Sequence, residues 1–452
     1  MRTDLRLNFE NYLYGGSQLG VLLIAILTAF TFPVSAQQTS NTTADTLSLD
    51  RVISDVLKNN DRLAAARFME QSSTEKAKGA GKWDDPMLML GVQNIPTSSW
   101  KLNKDDMTMQ MVGLSWPIPY AGEKGLESKA AQAEATASTA ARNMTASDLI
   151  TAAKLAYYNL YYQQIYFQDL ETQRELMLEV VKAARVRLET NQVGQEDVLA
   201  AQSNVWRLDA EILDARHMID DAIYNLNNLR GQKIISSEPT VKAPTFPPLT
   251  NNVAELVDAA YANYPELRRL ESQSESYHFS SLAAGRMRWP MLSLSAQYGY
   301  RTGYGMMGPR DNMVSFGANL SLPVFSHSKQ GAMARSMDLM RQSADAQINQ
   351  LRRDIESGMA TLYQNAWSYS EKISIYNDKI IPASEQAYKS AFAGFINNRT
   401  PFTTLLDYAV DLYRDKITAN QLALDYARIT AEIERYTTDT GAITVNNTSE
   451  VK

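Results

Sequence analysis

Four short stretches of the chain alternate apolar and small polar residues with a period of two, while the rest carries apolar residues at helical spacing. In Met313 to Leu322, the residues Val314, Phe316, Ala318, Leu320 and Leu322 alternate with Ser315, Gly317, Asn319 and Ser321. In Met291 to Arg301, the residues Leu292, Leu294, Ala296, Tyr298 and Tyr300 alternate with Ser293, Ser295, Gln297, Gly299 and Arg301. Period two predicts strands with one apolar and one polar face. At about 10 residues they have the length of a tilted β-strand that crosses a bilayer. Met87 to Gln93 and Met107 to Trp116 form an earlier pair of the same kind.

Between the strands the pattern is helical. Ser48 is placed to cap a helix that starts at Leu49 and runs, with breaks, to about Gly79. Asn94 to Asp106 is a turn-rich loop. From about Lys124 to Thr190 nothing interrupts the helical pattern, which at about 1.5 Å per residue predicts an element roughly 100 Å long. Asn191 to Gly194 marks a tight turn, and a further helix runs from about Glu196 to Leu229, stopped by Gly231. Val198, Val205, Ile212, Ile219 and Leu226 recur every seventh residue, as do Ile348, Ile355, Leu362, Tyr369, Tyr376 and Ala383. Such heptads predict helices packed lengthwise on one another.

The plan occurs twice. A shift of 204 residues lays Asn59, Asn60 and Leu63 on Asn263, Tyr264 and Leu267, and Pro86-Met87-Leu88 on Pro290-Met291-Leu292. A shift of 206 lays Leu114 to Pro117 on Leu320 to Pro323, and Lys124-Gly125 on Gln330-Gly331. A shift of 207 lays the heptad from Val198 on Leu405, Leu412, Ala419, Tyr426 and Ile433. The expected organisation is therefore a first repeat at 48–231, a proline-rich linker at 232–251, a second repeat at 252–441 and a tail at 442–452.

Composition narrows the class. Charged residues are 21% of the 452, and the net charge of -6 is spread without a basic block, so no nucleic-acid partner is expected. Arg2 and Arg6, the uncharged run Leu19 to Phe32 and Val34-Ser35-Ala36 read as a signal peptide at 1–36, followed by a polar leader at 37–47. There is no cysteine, which excludes disulfides, thiolate metal sites and a lipidated N-terminal Cys. His217, His278 and His327 are far apart and read as surface or packing residues. No catalytic constellation, phosphate loop or metal-spaced carboxylate set is present, so neither an enzyme nor a cofactor is expected.

In order and duplication, these features resemble the TolC-like outer-membrane efflux channel family over essentially all of Ser48 to Gly441. The resemblance rests on the doubled helix-strand-strand-helix plan, the Tyr264-Pro265-Glu266-Leu267 segment, the strand exits of Leu-Ser-Leu-Pro type, and the turns at Asn191 to Leu199 and Asn398 to Asp407. It implies an α+β membrane protein built as a homotrimer. Three copies would form a twelve-stranded β-barrel in the outer membrane, continued by a long periplasmic α-helical coiled-coil barrel. Strand arithmetic agrees, because four strands cannot close around a usable lumen while twelve can. The implied role is the passive exit duct of a tripartite efflux pump, with a periplasmic adaptor (membrane fusion) protein and an inner-membrane transporter as partners. Two departures stand out: Asn191 and Asn398 occupy tip positions where such channels commonly have Gly, and the lipidated Cys of several relatives is missing. Asn is the next most tolerant residue of the left-handed conformation.

Candidate site residues follow. By the resemblance, the turns form the closed periplasmic end. Asp197, Arg399 and Asp407 lie at or just beyond them, Asp407 matches an acidic constriction position, and the companion acidic position falls on Thr404. Val193, Gly194, Phe402 and Leu405 are the expected adaptor contacts. Strand parity carried through the repeat turns Met87, Met89, Met107, Met109, Met111, Met291 and Met313 toward the lumen, together with Gly91, Gln93, Gly113 and Ser115. Thioethers are soft ligands suited to Cu(I) or Ag(I). The trend is toward the heavy-metal-efflux branch, with heavy-metal cations or small toxic compounds as the expected cargo. A register shift that faces the methionines to lipid, a type I protein secretion duct, and a periplasmic adaptor-like coiled-coil protein are the competing readings. An adaptor would need a lipoyl-like β-module and would not need bilayer-length strands.

Overall fold

The computed structural model describes residues 47–233, 239–244, 251–305 and 308–439. The signal peptide, all of the leader but Leu47, parts of the linker, the end of the second repeat and the C-terminal tail lie outside the described residues. The first half contains α1 (Leu49–Asn59), α2 (Asp61–Gly79), β1 (Met87–Gln93), β2 (Met109–Ile118), α3 (Glu123–Glu189) and α4 (Gln195–Leu229). The second contains α5 (Val253–Asn263), α6 (Pro265–Arg286), β3 (Met291–Tyr300), the two-residue strands β4 (Tyr304–Gly305) and β5 (Gly308–Pro309), β6 (Met313–Ser321), α7 (Gln330–Ile375), a π-helical turn (Tyr376–Ile380), α8 (Ile381–Ile396) and α9 (Phe402–Thr437).

Local chemistry sets the boundaries. The Ser48 and Asn60 side chains accept from the amides of Arg51 and Arg62 and so start α1 and α2. Asn252 does the same for α5 through Glu255, and α6 opens on Pro265 at its first position, where no amide hydrogen is needed. α3 is one continuous helix of 67 residues. It packs on α2, α4, α6 and α9, while α7 packs on α6 and α9. One apolar core gathers Val56, Leu63, Leu149, Leu160, Ile223 and Leu226 around Tyr157, whose hydroxyl lies 2.7 Å from Lys242 O and 3.0 Å from Leu47 O. A second holds the turns at the ends of α3 and α8, and a third joins α5 to α7 and α9.

The four long strands form one antiparallel sheet in the order β1-β2-β3-β6. Cα partners share a face, so the register can be followed across the sheet. Leu88 pairs with Leu114, Leu114 with Ala296, and Ala296 with Phe316. Met89 pairs with Gly113, Gly113 with Gln297, and Gln297 with Ser315. All four strands thus keep one apolar face, with Leu90 74% and Phe316 83% exposed. The other face carries Ser, Gly, Gln, Asn and Met and is the more enclosed, with Ser115 8% exposed. The second hairpin is two residues longer than the first, which preserves parity; an odd insertion would have turned a strand over.

β2 begins at Met109, two residues later than the sequence pattern suggests, and ends two later at Ile118. The late start has a local cause. The Asp105 carboxylate accepts from the Met107 amide at 2.8 Å, and Thr108 Oγ1 donates to Asn94 O at 2.7 Å, which curls this stretch into a turn.

The helices absorb an odd residue differently. Leu149, Ala153 and Leu160 are buried, as are Ile355, Met359 and Ala366, each 206 residues on. Beyond the π-helical turn the buried pairs are Val181 with Tyr388 and Ala184 with Ala391, each 207 on. The extra residue sits in the π turn. The heptad from Ile348 therefore ends there, and Ala383, its expected next member, is exposed.

A spin label at Phe316 of the bilayer-reconstituted protein is expected to relax with oxygen, and one at Ser315 with a water-soluble nickel chelate. The opposite pair of accessibilities would reverse the assigned faces.

Candidate functional site

Two places gather the candidate residues. The first is the pair of helical turns. At the end of α3 the amide of Asn191 donates to Leu188 O and that of Gln192 to Arg187 O; at the end of α8 the amide of Asn398 donates to Phe395 O and that of Arg399 to Gly394 O. Both are Schellman closures, with Asn191 at φ 52° and Asn398 at φ 61° in the left-handed position. Asparagine therefore makes the turn that glycine makes elsewhere.

The two turns are tied by Arg187, which the sequence reading did not single out. Its side chain is 7% exposed. Nη1 donates to Phe395 O at 2.6 Å, Nη2 to the Asn398 side-chain oxygen, and Nε to Gln192 Oε1 at 3.2 Å, while the guanidinium lies 4.3 Å from the Phe395 ring centre. No carboxylate neutralises it in these contacts. The Phe395 carbonyl near the end of α8 and two side-chain amide oxygens do so instead, where the negative ends of the α3 and α8 dipoles lie. The repeat equivalent of Arg187 is Gly394, over which Thr400 lies, so the tie runs one way. A repeat comparison would have exposed it: a charged residue stands opposite glycine at the same turn position.

Phe402 and Leu405, expected as adaptor contacts, are 5% and 0% exposed and pack with Phe395, Val181 and Ala184 inside the shared core. Their helix turns this edge inward, so they build the turn and offer no surface. Val193 and Gly194 are half-buried, and the exposed apolar side chains nearby are Val186, Leu199 and Ile396. Asp407 and Arg399 are exposed, Asp197 and Thr404 half-buried, and no ion pair engages Asp197, Arg399 or Asp407 among the described residues. Farther along α8, Glu385 is held below the usual carboxylate range by a hydrogen bond from Lys416 and by its charge. Burial pushes the Tyr388 hydroxyl up.

The second place is the polar face of the sheet. Met87, Met89, Met109, Met111, Met291 and Met313 all lie on it by register. Met107 does not, since it precedes β2 in the turn described above, 57% exposed. Three of the six gather at one level: Met111 and Met313 flank Gly299 on either side, and the Met109 sulfur lies 2.7 Å from where a Gly299 Cβ would stand. The absent side chain of Gly299 makes the space for that thioether. Arg301 Nη2 stands 2.8 Å from the Met313 sulfur. Among the described residues no three His, Cys, Asp or Glu side chains group as a metal site, and His217, His278 and His327 remain apart. No described helix is long and apolar enough to cross a membrane, which says nothing of a β-barrel.

Residues 52–232 match the family model described as outer membrane efflux protein. That is a family of efflux proteins, not of enzymes, in agreement with the missing catalytic constellation. No curated protein matches. Among solved structures, the chain is similar to the outer-membrane channel OprN with TM-score 0.73 and 17% identity over 86% of this chain and 90% of that one. It is similar to CusC, described with conformational changes on folding and transmembrane channel formation, with TM-score 0.72 and 16% identity over 86% and 91%. It is also similar to the outer membrane protein VceC of Vibrio cholerae, with TM-score 0.72 and 16% identity over 86% and 95%. The fold is that of outer-membrane channels.

Replacing Arg187 by Ala removes charge-assisted bonds to the Phe395 carbonyl and to the side-chain oxygens of Asn398 and Gln192 and is expected to cost about 2 kcal/mol locally. Hydrogen exchange at Asn398 to Thr404 should then rise while that of the Tyr157 core stays unchanged. Equal protection in both would show that the tie is not holding the turns together.

Proposed function

We propose that the chain is one protomer of a passive outer-membrane exit duct that works with a periplasmic adaptor and an inner-membrane transporter. The observation that carries this reading is the sheet: strands of 7, 10, 10 and 9 residues, three of them long enough to cross a bilayer, with one exposed apolar face, one polar face and two unpaired edges at β1 and β6. Such a sheet is stable in lipid only when copies close it edge to edge. Aromatic side chains support the same placement. Trp83, Trp116 and Trp289 lie exposed at the helix end of the strands and Tyr298, Tyr300 and Tyr304 toward the loop end, as membrane-interface belts do. The match to the efflux protein family and the channel fold supply the transport role.

Three copies suit the polar face best. Eight strands from two copies give an interior that side chains fill, whereas twelve leave a lumen. A face of serine, glycine, asparagine and glutamine is built for water and not for packing. In this assembly Asp197, Thr404, Arg399 and Asp407 are the proposed constriction residues, and Val193 and Gly194, with exposed Ile396 and Leu199, the proposed adaptor contacts. The full-length protein extracted in mild detergent is expected to show a mass of three chains by native mass spectrometry; one or two chains would overturn the trimeric duct.

For cargo, the thioethers on the polar face favour soft cations over proteins. Met109 and Met111 at Gly299 are the proposed contacts at the loop end, Met87, Met89 and Met291 at the helix end. Arg301 beside Met313 opposes tight cation binding, so the methionines suit passage better than storage. Changing Met109 and Met111 to Leu keeps apolar volume but removes sulfur. At equal expression it is expected to lower silver and copper tolerance of a strain that depends on this duct, with tolerance to apolar toxic compounds unchanged. Unchanged metal tolerance would end the soft-cation reading and leave the duct intact.

A further inference from the structure

Below the apolar face of the two central strands a groove opens between the end of β2 and the junction of α6 with β3. Its floor is Ile118 and Leu292, direct partners on the ladder and the last apolar pair of that face. Tyr120 and Trp289 stand at its sides, Trp289 67% exposed, and Arg286 of the last turn of α6 reaches its rim. The carboxylate nearest in sequence, Glu123, turns back to the Tyr120 amide at 3.3 Å.

Positive charge stands near the groove, with Arg286 on its rim and Arg288 and Arg335 beside Gly331. Arg286, Arg288 and Arg335 make no ion pair among the described residues. For Arg286 the carbonyl end of α6 is sufficient reason. It is not for the other two. Arg288 Nη2 and Arg335 Nη1 each lie 3.5 Å from where a Cβ of Gly331 would stand, so the two guanidiniums approach each other beside the second residue of α7. That is the positive end of a 46-residue helix whose first turn carries no acid. Two exposed cations and a helix start at one place, with the Ser326 carbonyl beside them, make a positive patch that attracts an anion.

We infer that this groove seats an anionic phospholipid. The acyl chains would continue down the apolar face past Ile118 and Leu292, Trp289 would lie at the level of the glycerol, and the phosphate would meet Arg286 with Arg288 and Arg335 adding to the local field. A neighbouring protomer does not compete for it, because copies join at β1 and β6 while the groove lies on β2 and β3. The inference rests on the membrane placement proposed above.

Native mass spectrometry of the detergent-extracted full-length protein, with phosphatidylglycerol and phosphatidylethanolamine of matched chains, tests it. Phosphatidylglycerol is expected to be retained in excess; R286Q should cut that excess about fivefold, R286K should keep most of it, and W289A should lower both lipids together. Equal retention of the two lipids by the unaltered protein, or an undiminished excess in R286Q, would overturn the groove. Failure of the protein to fractionate with the outer membrane would instead overturn the membrane placement. Heat-modifiable migration on gels, read for every variant, separates loss of lipid from loss of fold.

Discussion

Register parity is the constraint on which the rest depends. A strand has only two faces, and a sheet that shows lipid one side and water the other, as in the duct proposed above, cannot mix them. Here the apolar set runs unbroken from Leu88 through Leu114 and Ala296 to Phe316, and every polar partner set runs beside it. That continuity had to survive a duplication in which the hairpins drifted apart in length. They differ by two residues, the smallest change that leaves every side chain on its own side. The difference falls in the loop, where the second hairpin also carries the small ladder of β4 with β5. There Arg310 binds Asp106 and the carbonyls of Asn103 and Thr302, fastening one loop to the other.

Helices answer to a different period, so the same duplication shows a different repair. A single extra residue rotates a helical stripe by about 100° at 3.6 residues per turn. The π turn at Tyr376–Ile380 takes it up locally, and the inward residues resume one position later at Tyr388 and Ala391. α3, which has no such insert, is continuous over its whole length. The two halves therefore differ in stiffness although their buried residues correspond. The second half carries the π turn with Pro382 directly after it, while the first carries Arg187, which reaches across to the turn at the end of α8.

Most of this was legible in the sequence because it is periodic. Alternation at Val314 to Leu322 and the recurrence of Pro-Met-Leu at 86 and 290 mark strands, faces and repeat. The differing shifts of 206 and 207 already held the π turn, as a missing residue with no address. What periodicity does not encode is where a local side chain defeats it. Asp105 and Thr108 bend the approach to β2 and take Met107 out of the ladder. Phe402 and Leu405 sit beside a turn, where apolar residues suggest a docking surface, yet the turn's own core claims them. Arg187 was hidden because its partners are neutral, the Phe395 carbonyl and the Asn398 side-chain oxygen more than two hundred residues away and the Gln192 side-chain oxygen nearby, and they leave no mark on charge pattern.

The apolar surface left on one chain argues that the unit of function is larger than the chain. The sheet ends in two unpaired strands, and Trp206, Leu213, Trp367 and Leu339 stand exposed on α4 and α7. A single copy would leave both the backbone edges and these helical side chains in water, and lipid could satisfy neither, because the edges need hydrogen-bond partners. Further copies of the same chain answer both needs at once, with strand edge to strand edge and helix to helix. In the duct proposed above, the polar face bears on how many. A face of glycines and serines suits water better than a packed core, and a wet lumen calls for more strands than one or two copies supply.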